Sequence, residues 1–512
     1  MSQDPLLSLG LHPDDDANRR LVSAVHPPDW QNPIPAGRYD LIILGGGPAG
    51  LVAASSAAGL GARTALIERH LLGGDCLNVG CVPSKALLAA ANAAHAVRHA
   101  ARFGIHTSPP VVDFPEVMAR MRNLRATIAP HDSARRFQEL GVDVFLGHGR
   151  FASPDTIEVG GRELRFRRAL IATGARPALP NVPGLAQAGV LTNENVFNLT
   201  TLPRHLVVLG SGPIACELAQ AFRRLGSEVT LLARRDRLLS REDPEAGKLV
   251  ANRLQIEGVS LHWNVVLDHV ERRPDGTLRI DFVQGSKAAS LEASNLLVAI
   301  GRTPNSDGLA LNRASIQCDS TGAIQVDDHL RTTNPRVFAA GDVCLPHRFT
   351  HAADFAARTV IQNALFPGRK RFSKLTIPHC TFTDPEVAQV GHSLASAHAV
   401  GLRVTHFTRR FASVDRARTD DTTDGFVRIL VRQGSDQIVG ATIVGAHAGE
   451  LISEVATAMA ARMGLASLAN VIHPYPTLAE AIRQCGDDYN RTRLTASART
   501  WIDRWLRWNR NR

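Results

Sequence analysis

The chain has 512 residues, 44% of them hydrophobic and 21% charged, with a formal net charge of +10 and seven cysteines. That length exceeds what one core holds and predicts roughly two to four domains, and so few cysteines exclude a secreted disulfide framework. No stretch reaches the roughly 20 apolar residues of a membrane-spanning helix, and the first residues, MSQDPLLSLGLHPDDDANRR, carry acids where a signal peptide has a basic start. A cytoplasmic protein is therefore expected, in a reducing compartment where a disulfide is more often catalytic than structural. The basic excess is local: seven arginines stand between Arg491 and Arg512 against one acid, Asp503. Nucleic acid is not an expected partner.

Residues 1–36 are polar and proline-rich and read as an extended N-terminal arm. A first dinucleotide-binding segment is expected over 37–184. It opens with a buried strand, YDLIILG, that runs into GGGPAG and an Ala-rich helix. Gly45, Gly47 and Gly50, with Pro48 and Ala49 among them, fill G-x-G-x-x-G: the glycines make the turn and let a pyrophosphate approach the helix N-terminus. Glu68 ends the next strand, 18 residues after Gly50 and just before Arg69, where a carboxylate takes ribose hydroxyls. Next comes GGDCLNVGCVPSKALL (73–88), with Cys76, Cys81 and Lys85, then a helical stretch over about 84–140 and short strands ending in ALIATGARP.

The same strand–glycine–helix order returns in HLVVLGSGPIACELAQAF, the core of an expected NAD(P)H-binding domain over 185–304. Its glycine loop holds Gly210, Gly212 and Ala215. The strand that follows ends on Ala233, where a ribose-binding acid would stand, with Arg234 and Arg235 behind it. Cations there favour a 2′-phosphate, so NADPH is preferred over NADH. LLVAIGRTPN and VFAAGDV are each a buried strand meeting a tight turn, the latter inside a second dinucleotide-binding part, 305–370. Over 371–490 the pattern changes to alternating strands with helices, an α+β domain. The remainder, 491–512, is a basic tail with Trp501, Ile502, Trp505 and Trp508 at helical spacing, suited to a membrane surface or a partner chain.

Cys76 and Cys81 could be a metal knuckle, a structural disulfide or a redox pair. Zinc needs two more ligands at matching spacing, and Cys318, Cys344 and Cys380 are scattered singly, so no metal site is expected. Two nucleotide sites beside a cysteine pair point to a dithiol fed by a reductant, and FAD is a carrier that accepts hydride and passes on electrons.

Together these residues resemble the flavin-dependent pyridine nucleotide–disulfide oxidoreductases, from about Tyr39 to Tyr489. The motifs that carry the likeness are GG-x-C-x-N-x-GC-x-PSK (73–85), ATGARP (172–177), the second glycine loop with Glu217, GRTPN (301–305) and AAGD (339–342). The resemblance implies two Rossmann-like domains and a C-terminal α+β dimerisation domain. It implies that Cys81 lies against the flavin and that Cys76 is the outer, interchange thiol of a redox-active disulfide. Asp342 would bind the ribityl–phosphate region, and Lys85 would pair with Glu217, the gate for the nicotinamide. Gly74, Asp75, Thr173, Gly174, Gly301, Arg302 and Gly341 join the cofactor-binding set by the same motifs. A homodimer whose subunits complete each other's acceptor site is implied as well.

The segment HPYPTLAE (473–480) discriminates within the family. Members that exchange disulfides carry an acid–base histidine where this chain has Tyr475, while Pro476, Thr477 and Glu480 keep register. An imidazole titrates near neutral pH and an unperturbed phenol near about 10, so tyrosine does not serve a leaving thiol. Tyrosine at this point, and LLARRDRLLSREDPEAG (231–247), resemble the mercuric reductases. The chain departs from them in having no cysteine in residues 1–38 and none after Cys485. The expected activity is electron transfer from NADPH through FAD and Cys76–Cys81 to Hg(II) or another soft electrophile. The alternatives are a disulfide or dihydrolipoyl reductase, and a diaphorase or quinone-type reductase at a membrane surface. A helix beginning near Pro83 is expected to favour the Cys81 thiolate, Cys485 and Cys380 are expected to be inert, and His473 occupies the family's non-catalytic histidine position.

Overall fold

The computed structural model describes residues 5–35 and 37–511. Two compact units emerge: the described residues up to Arg234 with Glu257–Lys374, and Arg235–Ile256 with the described residues from Leu375 on.

In the first unit a parallel sheet is built around Tyr39–Leu44, flanked by Thr64–Glu68 and then Val142–Leu146 on one side and by Arg162–Ile171 on the other. Val337–Ala339 joins Arg162–Ile171 in parallel, returning the chain after 337 to the first sheet. The central strands are apolar on both faces because one face, with Leu41, Ile43 and Leu66, packs on helices, and the other, with Ile42, Leu44 and Phe145, packs on the antiparallel strands Gly149–Ser153 and Thr156–Val159. Gly47 and the Pro48 that follows it open the helix Pro48–Gly59, which packs against Thr350–Leu365. The second parallel sheet runs Ser260–His262, Glu228–Leu232, His205–Leu209, Asn295–Val298, with helix Pro213–Leu225 after its glycine loop. An antiparallel meander, Val265–Arg272, Leu278–Gln284 and Lys287–Ala293, follows it.

The N-terminal arm differs from expectation. Residues 1–4 and 36 lie outside the described residues, but Asp16–Val25 is a helix rather than extended chain, N-capped by the Asp15 side chain. The spacing of Leu21, Val22 and Val25, all buried against the first sheet's core, explains it. Prolines and polar residues on both sides hide this short apolar stripe in the sequence.

The second unit is centred on a five-stranded antiparallel sheet, ordered Pro378–Thr381, Glu386–Gly391, Ile438–Gly445, Phe426–Arg432, Val404–Arg410. Helices Ala448–Ala460 and Glu480–Thr492 pack on it. Arg235–Ile256 falls inside the expected NAD(P)H-binding stretch of sequence, yet it clusters with this sheet. Arg428 reaches Asp243 at 2.5 Å and Glu245 at 2.6 Å, and His379 reaches Glu242 at 3.0 Å. Both units together give an α/β fold of two Rossmann-like sheets and a C-terminal α+β element. No helix among the described residues is long and apolar enough to cross a membrane.

Candidate active site

The two glycine loops are built alike. At Gly45, φ is +106° and an added Cβ would fall 2.3 Å from the Ala172 carbonyl oxygen; at Gly50 it would fall 1.8 Å from that of Gly45. No side chain fits at either point, so the strand, loop and helix close tightly. Gly47, the helix N-cap, has only the Gly74 Cα within reach of an added Cβ, at 3.8 Å, so the helix start stays open to an incoming group. Glu68 is buried at the loop's edge and accepts from Gly46 N at 2.6 Å and His70 N at 2.7 Å, while Arg69 beside it is exposed. In the second loop an added Cβ at Gly210 would meet the Ala299 oxygen at 2.3 Å and that at Gly212 would meet nothing within 4 Å. Ala215 is buried behind them, Ala233 is buried at the strand end, and Arg234 and Arg235 are exposed.

ATGARP and GRTPN, which begin 129 residues apart, form one antiparallel pair, Ala175–Pro177 with Arg302–Pro304. Thr173 donates to the Asn305 oxygen at 2.7 Å, and Gly174, at φ +70°, accepts from Asn305 N at 3.0 Å. Gly301 (φ +141°) leads into Arg302, whose guanidinium pairs with Asp75 and lies 3.3 Å from Asp342 Oδ2. Burial raises the Asp342 carboxyl above its ordinary value despite Arg302. Gly341 (φ +80°) sets Asp342 against the first nucleotide helix: an added Cβ there would lie 3.7 Å from Ala49 Cβ.

Cys76 sits in the short helix Gly74–Asn78, and Cys81 is the first residue of Cys81–Arg98, two residues earlier than the expected start at Pro83. Both are thiols, hydrogen-bonded to each other. Cys81 is lowered to about 6, first by the hydrogen bond from Cys76, with the Thr350 hydroxyl and the Lys85 charge assisting against burial and Glu217. Cys76 is raised, because its proton is held toward Cys81 and because it is buried. Lys85, one turn along the helix, places Nζ 2.8 Å from Glu217 Oε2. The Glu217 side chain is only 7% exposed, on Pro213–Leu225, so the ion pair ties the cysteine helix to the second nucleotide helix.

Two contributors escaped the sequence. Thr350, at the start of Thr350–Leu365, lies 3.3 Å from Cys81 Sγ across 269 residues of chain, and no local pattern marks it. The N-terminal helix braces the cysteine segment: Arg125 binds the Asn18 side chain at 2.5 Å and the Asn78 carbonyl at 2.8 Å, and Asp15 holds Arg122. The capping acid at 15 and the buried stripe after it were the available signal.

In the second unit Tyr475 is exposed, and its hydroxyl donates to Asp415 at 3.0 Å, which raises its pKa. His473 faces away from that role: Nδ1 meets the Val471 carbonyl at 2.9 Å and Nε2 meets Glu454 at 2.8 Å. Glu480 pairs with Arg483 at 3.3 Å. Cys485 is fully buried, its thiol pushed up to about 12 by burial and directed at the carbonyls of Phe407 and Val427.

Residues 39–364 match the family described as pyridine nucleotide-disulphide oxidoreductase, and residues 377–485 match that family's dimerisation domain. The chain belongs to the pyridine nucleotide-disulphide oxidoreductases. It is 36% identical to a mercuric reductase from Streptomyces lividans over 87% of this chain and 95% of the relative. A dihydrolipoyl dehydrogenase from Chlamydia muridarum is 33% identical over 86% of this chain and 95% of its own length. Among solved structures, LpdA from Mycobacterium tuberculosis superposes with a TM-score of 0.81 at 29% identity, covering 90% of this chain and all of that one. The Cu(II) complex of the HOCl-induced flavoprotein disulfide reductase RclA from Escherichia coli superposes at 0.78 with 27% identity, covering 88% of this chain and 99% of that one.

As in this family, the cofactors are FAD and NAD(P)H. The residues present fit them: both glycine loops exclude a Cβ where strand and helix close, and both leave a helix start open.

Proposed function

We propose that this oxidoreductase takes electrons from NADPH and delivers them through Cys76 and Cys81 to a thiophilic metal ion, Hg(II) or an ion of similar softness, or another soft electrophile. The observation that carries this is the loop 473–480. At the position where disulfide-exchanging members place an imidazole base, Tyr475 has a raised pKa and keeps its proton while donating a hydrogen bond to Asp415, and both ring nitrogens of His473 already face acceptors. A leaving thiol needs a proton near neutral pH, whereas a soft metal ion needs thiolate ligands and electrons. The mercuric reductase relatives and the Cu(II) complex of RclA agree with this acceptor class.

In this reading Gly45, Gly47, Pro48, Ala49 and Gly50 hold the FAD pyrophosphate, Glu68 its ribose, and Asp342, Arg302, Asp75 and Thr173 the remaining polar edge. Gly210, Gly212 and Ala215 hold the nicotinamide nucleotide, and the exposed Arg234 and Arg235 select its 2′-phosphate, hence NADPH over NADH. FAD, when bound, supplies hydride acceptance and transfer of two electrons to the cysteine pair. Those electrons break the Cys76–Cys81 bond; Cys76 takes up one proton and Cys81 stays thiolate, in keeping with the directions in which the two are shifted. Lys85 holds Glu217 in place and offsets charge on Cys81. Cys76 then binds the acceptor, with Tyr475 and Glu480 of a second copy completing the site in a homodimer.

The test compares NADPH oxidation stimulated by Hg(II), glutathione disulfide and lipoamide, for wild type and Cys76→Ser. Stimulation by Hg(II) alone, lost in the variant, is expected. Faster turnover of glutathione disulfide or lipoamide would move the chain to the disulfide or dihydrolipoyl reading.

A further inference from the structure

Helix Ala496–Arg510 is closed at its start by the Thr495 side chain, which accepts from Ala498 N, and none of its residues is buried. At about 100° per residue, Trp501, Ile502, Trp505, Leu506 and Trp508 fall on one arc of about 160°, shared only with Ala498 and Asn509. All five large apolar side chains are solvent-exposed, Trp501 to 68%. The opposite arc carries Arg499, Arg504, Arg507 and Arg510, with Asp503 tied to Arg507 at 2.7 Å.

Two properties decide what covers this face. Three of the five apolar side chains are tryptophans, whose indoles join an apolar body to a polar N–H and settle at the headgroup level of a bilayer. The cationic arc holds a single acid, so its charge is not balanced within the helix and calls for a dense anionic surface flanking the apolar arc. A protein groove would satisfy the first arc, whereas a negatively charged lipid surface meets both along the whole length.

We propose that this helix lies in the interface of an anionic bilayer, with its tryptophans toward the acyl boundary and its arginines at the headgroup phosphates. The inference is independent of the acceptor: it places the redox unit beside a membrane, whatever it reduces.

The experiment is co-sedimentation of the full-length holoenzyme with vesicles of phosphatidylcholine mixed with phosphatidylglycerol, and with vesicles of phosphatidylcholine alone. Binding to the mixed vesicles only is expected, with a blue shift of tryptophan emission that truncation after Leu494 removes. Arg499→Gln with Arg504→Gln should weaken binding about 30-fold, and Trp505→Ser should weaken it without disturbing the fold. NADPH oxidation should be unchanged in each. The proposal is overturned by no binding, by equal binding to neutral vesicles, or by binding that survives truncation. It is equally overturned if truncation changes the oligomeric mass while vesicles are ignored, which would assign the face to a second copy, or if duplex DNA outcompetes the vesicles.

Discussion

Replacing Thr350 with valine removes a hydroxyl 3.3 Å from Cys81 Sγ while keeping side-chain volume. A hydrogen bond to a charged group contributes about 1.5–3 kcal/mol net, and the Thr350 contact is a single one at 3.3 Å, so the lower end applies. That corresponds to about one pH unit, moving Cys81 from about 6 to roughly one unit higher. At about pH 6.5 the thiolate fraction then falls roughly threefold, and the two proteins converge in alkaline solution. The assay is the rate of iodoacetamide alkylation at Cys81 against pH in the reduced protein, read by peptide mass spectrometry, with Thr350→Ser as the restoring control. Linkage supplies a second readout. The folded pKa lies below the ordinary thiol value, so between about pH 6 and 8.5 the unfolded chain binds more protons at Cys81 than the folded one. Stability from this group is therefore present above the ordinary value and is lost as pH falls through about 6. Superimposable profiles for Thr350→Val and wild type, or no restoration by serine, would refute the reasoning.

Lys85→Met leaves the buried Glu217 carboxylate without its 2.8 Å partner. Breaking a buried pair costs about 3–5 kcal/mol; since Lys85 is partly exposed, about 2 kcal/mol is expected from urea denaturation, with most of it recovered by adding Glu217→Gln. Gly50→Ala drives a methyl to 1.8 Å from the Gly45 oxygen, so the protein should purify without flavin absorbance, whereas Ala53→Gly in the same helix should keep it. Cys485→Ala should lower stability by about 1 kcal/mol and leave acceptor-stimulated NADPH oxidation intact, because that thiol is buried and protonated; a loss of turnover would give it a role in delivery.

Much of this was legible because the chemistry is compressed into short runs. The turn demanded at Gly45, the approach needed at Gly47 and the acid at Glu68 all fall within one βαβ unit, where period and spacing speak directly. Lys85 and Glu217 lie 132 residues apart, and their pairing came from the likeness to a family rather than from periodicity; the structure brings them to 2.8 Å. Thr350 was invisible because the contact is made by tertiary packing, with the helix Thr350–Leu365 laid against Pro48–Gly59. The N-terminal helix was misread because only Leu21, Val22 and Val25 mark its buried face and prolines flank it. The grouping of Arg235–Ile256 with the C-terminal sheet brings together residues far apart in sequence, among them Arg428 with Asp243 and His379 with Glu242, and no local pattern encodes these contacts.

The most direct test of the central claim is a count of reactive thiols in the oxidised holoenzyme, before and after one equivalent of NADPH under anaerobic conditions, with the labelled peptides identified. The account predicts a pair of new thiols, mapped to Cys76 and Cys81, appearing as NADPH is consumed. An unchanged count, or new label on any other cysteine, would contradict it.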